Sequence, residues 1–241
     1  MAKEIDLSII IPAYNEEKRI GKYLQSINSH FKQKKYQNFT VEVIVMDDGS
    51  KDKTASVARR YGVKVVTNNP NRGKGYSVKK GMLQGHGKIL LFADADGATP
   101  IREVDGFLEF IQHKGYDVVI GSRSIKGAKL KKKQPIHRLV LGKTFFMLTL
   151  TILGLGFYDT QCGFKMFTRK AAKKIFSKQT IDRWGFDPEV LFLAKRYRFK
   201  VKEQGVEWHD IAGSKVNPIK DGIKMLGELL KIRMNSWKGK Y

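Results

Sequence analysis

The sequence predicts an α/β fold, a mostly parallel central sheet with helices on both faces, and three observations predict it. Short apolar runs recur without the in/out alternation of a half-exposed strand, as in Leu7 to Pro12 and Ile89 to Ala93. Helical stripes separate the runs at the spacing of strand–helix–strand units. Polar residues follow every run at the same end, and right-handed crossovers bring such ends to one edge of the sheet.

Leu7 to Pro12 is the first buried strand, ended by Pro, and Ile20, Leu24, Ile27 and Phe31 mark the helix behind it. Val41 to Met46 is the second, with a helix from about Thr54 to Tyr61. Val63 to Thr67 is the third, followed by a helix from Gly75 to Gln84. Ile89 to Ala93 is the fourth, with a helix over 101–113, and Val118 to Ile120 is the fifth. Beyond it the pattern loosens. A helix from Pro188 to Arg196 is expected, with Asp187 as its N-cap and Pro188 at the first helical position. A final strand covers 199–207. A basic amphipathic helix with Ile219, Ile223, Leu226 and Leu230 on one stripe closes the chain. Its stripe suits a membrane surface or docking onto the domain equally.

The polar groups at the strand ends are Tyr14-Asn15-Glu16, Asp47-Asp48, Asn68-Asn69, Asp94-Ala95-Asp96 and Ser122-Arg123. Any one of them can cap a helix or close an Asx turn. Five in register are better explained by one polar cleft, since the carboxyl edge of an open α/β sheet is where ligands bind. Asp94 and Asp96, one small residue apart, can converge on one hard cation. Mg²⁺ and Mn²⁺ favour oxygen ligands, and Mg²⁺ is usually held by one or two carboxylates plus substrate phosphates. Asn71-Arg72-Gly73-Lys74-Gly75 allows a close backbone approach to an anion, although a plain surface loop fits it as well. It lacks P-loop spacing, and no Gly-X-Gly-X-X-Gly follows the first strand, which argues against a dinucleotide oxidoreductase.

The 241 residues suffice for one full core. The single Cys162 excludes an internal disulfide and suits a reducing compartment. No signal-peptide core opens the chain, and Thr144 to Tyr158, the longest apolar stretch, is shorter than the ~20 residues of a spanning helix. A net charge of +23 favours anionic partners such as nucleic acid, acidic lipid or phosphorylated substrates. Carboxylates lining the main cleft would repel a nucleic-acid backbone, so a nucleic-acid-binding protein is the weakest of these readings. No acidic residue lies between Asp117 and Asp159, and the stretch opens with Lys126, Lys129, Lys131, Lys132, Lys133, Arg138 and Lys143. A short apolar helix pair is expected behind that basic run. Together they suit an anionic membrane surface, with a basic loop beside a core helix as the alternative.

The series Ile-Ile-Pro-Ala-Tyr-Asn-Glu (10–16), Asp-Asp-Gly-Ser (47–50), Asn-Arg-Gly-Lys-Gly (71–75) and Asp-Ala-Asp-Gly-Ala-Thr (94–99) resembles the family 2 inverting glycosyltransferases of GT-A fold. Gly-Ser-Arg (121–123), Asp-Thr-Gln-Cys-Gly-Phe-Lys (159–165), Arg-Trp-Gly-Phe-Asp (183–187) and Gly-Ser-Lys (213–215) narrow the resemblance to the dolichyl-phosphate β-glucosyltransferase branch. It implies a catalytic domain over 1–215, with 126–158 as a membrane-interface insertion and 216–241 as the basic amphipathic helix. It implies a donor site from Pro12, Tyr14, Glu16, Asp48, Lys74, Asp94, Gln161, Asp187, Ser214 and Lys215. Asp94 and Asp96 would hold Mg²⁺ or Mn²⁺, with Asp96 the direct ligand, and Arg123 and Arg138 would grip the acceptor phosphate, with Asp96, Arg123 and Arg138 the catalytic set. Ala98 stands where some related mannose synthases carry a metal-binding Gln, so the metal would lean more on water and diphosphate. The N-terminal membrane anchor of eukaryotic glucosyl members is missing, which makes the basic and apolar region the expected attachment.

The implied activity is transfer of a hexose from a nucleotide-sugar donor, UDP-glucose first, to dolichyl or polyprenyl phosphate. The implied place is peripheral, at the cytoplasmic face of a membrane. UDP-N-acetylglucosamine and GDP-mannose stay open as donors, and so does a membrane-subunit partner. A hydroxyl acceptor is the rival reading, with Asp187 or Glu189 as base or merely as a sugar contact.

Overall fold

A computed structural model describes residues 4–131, 136–211 and 218–241, with the side chains of 136–141 and 218–221 outside the description. Seven strands form the main sheet. They are β1 (Leu7–Ala13), β2 (Val41–Asp47), β3 (Lys64–Thr67), β4 (Ile89–Ala93), β5 (Val118–Ser122), β7 (Phe164–Thr168) and β8 (Val201–Gly205), in the order β3-β2-β1-β4-β7-β5-β8. A two-stranded parallel ribbon pairs β6 (Lys129–Leu130) with β9 (Glu207–Trp208). Every strand of the main sheet is parallel to its neighbours except β7, which runs antiparallel between β4 and β5. The carboxyl ends of β1 to β5 and β8 therefore share one edge.

Two apolar layers sandwich the sheet. Ile9 and Ile11 of β1 pack with α1 (Ile20–Phe31), α2 (Thr54–Arg59) and α4 (Val104–Gln112). Ile10 points the other way, towards α3 (Lys74–Gln84), α6 (Arg169–Lys178) and α7 (Phe186–Arg196). This in/out split within one apolar run is the signature of a strand buried on both faces. Against the second layer lie α5 (Ile136–Leu153) and α8 (Pro218–Trp237), which deliver Leu153, Leu229 and Ile232 to the same core. Arg233 Nε donates to the Ile152 carbonyl at 2.7 Å, joining the two helices at the carboxyl end of α5.

The five expected strands and the helices between them are present, with helix ends moved by a few residues. A 3-10 turn over Ile101–Glu103 precedes α4, and the expected final strand is broken at Val206 into β8 and β9. Three expectations are corrected. The apolar helix pair is one helix, α5, which starts inside the basic run. Gly185, not Asp187, is the N-cap of α7, and Asp187 lies in its first turn with its side chain turned into the core. The region after Asp159, read as irregular, contains β7 and α6. Thr168 caps α6 through a hydrogen bond from the Ala171 N–H at 3.2 Å.

Candidate active site

Asp94 is the first residue past β4. Its backbone N–H donates to the Gly163 carbonyl at 2.9 Å, because the β4–β7 pairing sets Ala93 opposite Phe164. Lys74 Nζ lies 2.6 Å from Asp94 Oδ1. Asp96 Oδ1 accepts the Ala98 N–H at 2.9 Å. Burial raises the Asp96 pKa, and the Asp94 charge beside it raises it further. Two hard oxygen ligands, one sharing a single ammonium and the other accepting one backbone N–H, fit a divalent cation. Among the described residues no group of three or more His, Cys, Asp or Glu forms a metal cage. The pair thus fits a cation that takes its other ligands from a diphosphate and water.

Two buried ion pairs flank the acids. Lys165, at 1% exposure, donates to the Cys162 carbonyl at 2.7 Å and pairs with the Asp187 carboxylate. Burial pushes Asp187 up despite Lys165 and Lys74. Arg123 follows β5 and meets Asp159 through two side-chain bonds, Nε to Oδ2 at 2.6 Å and Nη2 to Oδ1 at 2.8 Å. Its backbone N–H also donates to Oδ2, at 2.9 Å. Burial alone would raise Asp159, but the Arg123 guanidinium outweighs it and holds the carboxyl below its ordinary range. Arg123 also lies over the Trp208 ring at 5.5 Å.

The family model for glycosyl transferase family 2 matches residues 8–176, the span that holds β1 to β7 and both acids. The chain belongs to glycosyl transferase family 2. It is 42% identical to a dolichyl-phosphate beta-glucosyltransferase of Trichomonas vaginalis, over 97% of this chain and 76% of that one. It is 38% identical to the human dolichyl-phosphate beta-glucosyltransferase at the same two coverages. Among solved structures, the glucosyl-3-phosphoglycerate synthase of Mycobacterium tuberculosis crystallised with Mn²⁺, UDP-glucose and phosphoglyceric acid superimposes with a TM-score of 0.69. That match is 18% identical and covers 95% of this chain and 80% of the other. At that identity the likeness establishes the GT-A fold alone.

The remaining residues expected in this glycosyltransferase site lie along the strand ends and the loops beside them, or outside the described side chains. Pro12 is buried in β1 and Tyr14 half-buried just beyond it. Glu16 is held by Arg19 through bonds of 2.6 and 2.7 Å, and its N–H donates to Thr54 Oγ1 at 2.7 Å. Asp48 is a hub, whose carboxylate accepts the N–H groups of Arg72 at 3.0 Å and Gly73 at 2.7 Å and the Asn68 amide at 3.1 Å. That hub fixes the loop that carries Lys74. Gly73 has φ +108°, a backbone region that favours glycine, and a Cβ there would stand 2.8 Å from Arg183 Cδ. Gln161 is half-buried, its N–H donating to Asp159 Oδ1 at 3.2 Å. Ser214 and Lys215 lie outside the described residues, as does the Arg138 side chain, although its backbone belongs to α5.

Glu189, weighed as a base, is fully buried and accepts four hydrogen bonds. They come from the Thr180 N–H and hydroxyl at 2.9 and 2.6 Å, the Ile181 N–H at 2.8 Å and the Tyr241 hydroxyl at 2.6 Å. It fastens chain segments together. Lys165, Asp159 and Gly163 also belong to the cluster around the acid pair, although local sequence pattern gives none of them a role there. The available signal for Lys165 was a lone charge between Phe164 and Met166 in an apolar run.

Proposed function

We propose that this glycosyltransferase moves glucose from UDP-glucose onto dolichyl or polyprenyl phosphate, with inversion, at the cytoplasmic face of a membrane. The names of the Trichomonas and human relatives, which span nearly the whole chain, support both the sugar and the lipid. The observation that carries the acceptor class is the commitment of the carboxylates around the acid pair. Asp187 is paired to Lys165, Asp159 to Arg123, and Glu189 is surrounded by four donors. A hydroxyl acceptor needs a base to take its proton. A phosphate acceptor does not, because its second pKa near ~6 leaves it largely ionised at neutral pH.

In the proposed reaction a lipid-phosphate oxygen attacks the anomeric carbon in line. The bond from that carbon to the diphosphate breaks, and its electron pair departs with the nucleoside diphosphate. Asp159 holds the Arg123 guanidinium fixed beside the sheet edge, and Lys74, paired with Asp94, lies beside the proposed diphosphate station. Positioning and charge stabilisation supply most of such a rate enhancement. Mg²⁺ or Mn²⁺, held by Asp94 and Asp96, would neutralise the charge of the departing diphosphate.

The membrane part of the proposal is supported by the outer face of α5 and α8. Met147 and Leu150 are exposed on α5, and Ile223, Leu226, Leu230, Met234 and Trp237 on α8. Exposed Lys143, Lys224 and Lys231 lie on the same two helices. Apolar side chains dip into the interface, while each Lys near an anionic leaflet adds about 1 kcal/mol. No helix among the described residues is long and apolar enough to cross a membrane.

The deciding experiment offers labelled UDP-glucose, UDP-N-acetylglucosamine and GDP-mannose separately with dolichyl phosphate and extracts the lipid. Label is expected in the organic phase from UDP-glucose, in a β linkage. Transfer to a water-soluble hydroxyl acceptor with none to dolichyl phosphate would overturn the reading.

A further inference from the structure

Lys74 is the first residue of α3, and its ammonium is spent on the acid pair. It contacts Asp94 Oδ1 at 2.6 Å, while the rings of Phe92, Trp184 and Phe186 surround it at 5.4, 5.6 and 6.0 Å. Its backbone is pinned, since Gly73 is fixed by Asp48 and the Tyr76 N–H donates to the Asp182 carbonyl at 3.1 Å. The four-carbon stem above that backbone can still swing. We propose that Lys74 is a resident counter-cation, which occupies Asp94 when no donor is bound and transfers to the donor's diphosphate when one arrives, so that metal and donor load together. The inference rests on the reading of Asp94 and Asp96 as the metal–diphosphate pair.

Three observations carry it. An ammonium in contact with a ligand oxygen opposes a second cation at the same carboxylate, because like charges a few ångströms apart repel strongly in a half-buried site. Asp94 is therefore a weak metal ligand while Lys74 stays. Of the other carboxylates whose charge reaches the ammonium, Asp187 is already paired with Lys165, and Asp96 belongs to the same metal–diphosphate pair. On leaving Asp94, Lys74 has the incoming diphosphate as its natural counter-charge. Finally, aromatic faces attract a cation without fixing it in one direction, so the ammonium can turn within the pocket. A purely structural Lys74–Asp94 bridge would stabilise the fold but would not link metal affinity to donor occupancy.

The test is Mn²⁺ binding to the full chain, read from the electron paramagnetic resonance signal of free Mn²⁺, with and without UDP. Wild type is expected to bind Mn²⁺ weakly alone and far more tightly with UDP. Lys74→Met should bind Mn²⁺ alone at least about tenfold more tightly than wild type, and the enhancement by UDP should shrink in step, as linkage requires. Lys74→Arg, which keeps the cation, should resemble wild type. Lys74→Gln provides a second neutral variant if circular dichroism finds the Met variant misfolded. Mn²⁺ affinity without UDP that is unchanged or weaker in the neutral variants overturns the counter-cation role and leaves the metal reading standing. UDP binding without Mn²⁺ uptake in any variant overturns the metal reading, and this inference with it.

Discussion

Gly163 and Asp94 are packed so closely that no side chain fits between them: a Cβ on Gly163 would stand 2.6 Å from Asp94 Oδ1 and nearer still to Oδ2. The same two residues share the backbone hydrogen bond that ends the β4–β7 pairing. The antiparallel strand thus aims the carboxylate as well as filling the sheet.

Gly163→Ala should therefore cut activity while leaving the fold intact. Overpacking costs roughly 1–3 kcal/mol of stability, and a displacement of ~1 Å in a catalytic group can cost ~100-fold in rate. A steady-state assay alongside a urea melt checks this. The expected pattern is a large fall in turnover with a small fall in the midpoint.

The Arg123–Asp159 pair predicts a specific pH response. The folded carboxyl titrates below its unfolded value, near ~3.9, so the pair's stabilisation is fully present above that value. It is lost only as pH falls through the lower folded pKa. Asp159→Ala leaves a largely buried guanidinium without its partner, at a cost of about 3–5 kcal/mol at pH 7. Urea midpoints at several pH values should show a constant gap between wild type and variant from pH 7 to 5, closing only below ~4. A gap that closes near neutral pH would contradict the pairing.

The parts of this protein that were legible in its sequence are those set by local pattern. β4 reads as a buried strand because it is a continuous apolar run, and β1 and β2 because only Ser8 and Glu42 interrupt theirs; Asp94 and Asp96 announced a strand end because an unpaired charge is costly inside a buried strand. β7 was hidden for the converse reason. Lys165 interrupts Phe164-Lys165-Met166-Phe167, and only the tertiary partner Asp187, 22 positions on, makes that charge tolerable in the core. In α8 the period was right and the direction undecided. One stripe, Met225, Leu229 and Ile232, packs inward, and the expected stripe of Ile223, Leu226 and Leu230 faces out. Periodicity marks apolar faces but does not say which one meets the body. The role of Glu189 was equally out of reach, since its donors come from Thr180, Ile181 and Tyr241.

Glu189→Gln should weaken the fold more than its shape suggests. The amide replaces an acceptor oxygen with a donor, so at least one of the four N–H and O–H groups faces a donor instead. An unsatisfied buried group costs about 1–3 kcal/mol. Tyr241→Phe removes one donor and should cost less. Combined in a double-mutant cycle the two should be less than additive, because the second change removes a bond the first has already weakened. Chemical denaturation of the three variants measures this, and strict additivity would mean that the Tyr241 hydroxyl does not depend on the carboxylate.

The outward stripe of α8 makes the last prediction. Ile223, at 70% exposure, and Trp237, at 76%, lie at opposite ends of a row spaced by three and four residues, and burying such a row in protein or lipid removes a large apolar area from water. Ile223→Asp with Leu230→Asp leaves the inward contacts of Met225, Leu229 and Ile232 in place, so the fold should hold, with its melting temperature nearly unchanged. Partitioning onto vesicles containing anionic lipid should fall by at least about tenfold, since each aspartate replaces an apolar side chain of roughly 1.5–3 kcal/mol burial value. Transfer to membrane-embedded dolichyl phosphate should fall with it, whereas transfer to a short, water-soluble polyprenyl phosphate should persist. Equal loss on both acceptors would place the stripe in the catalytic fold rather than at the membrane. Vesicle binding that survives the double substitution would move the attachment to the basic region ahead of α5.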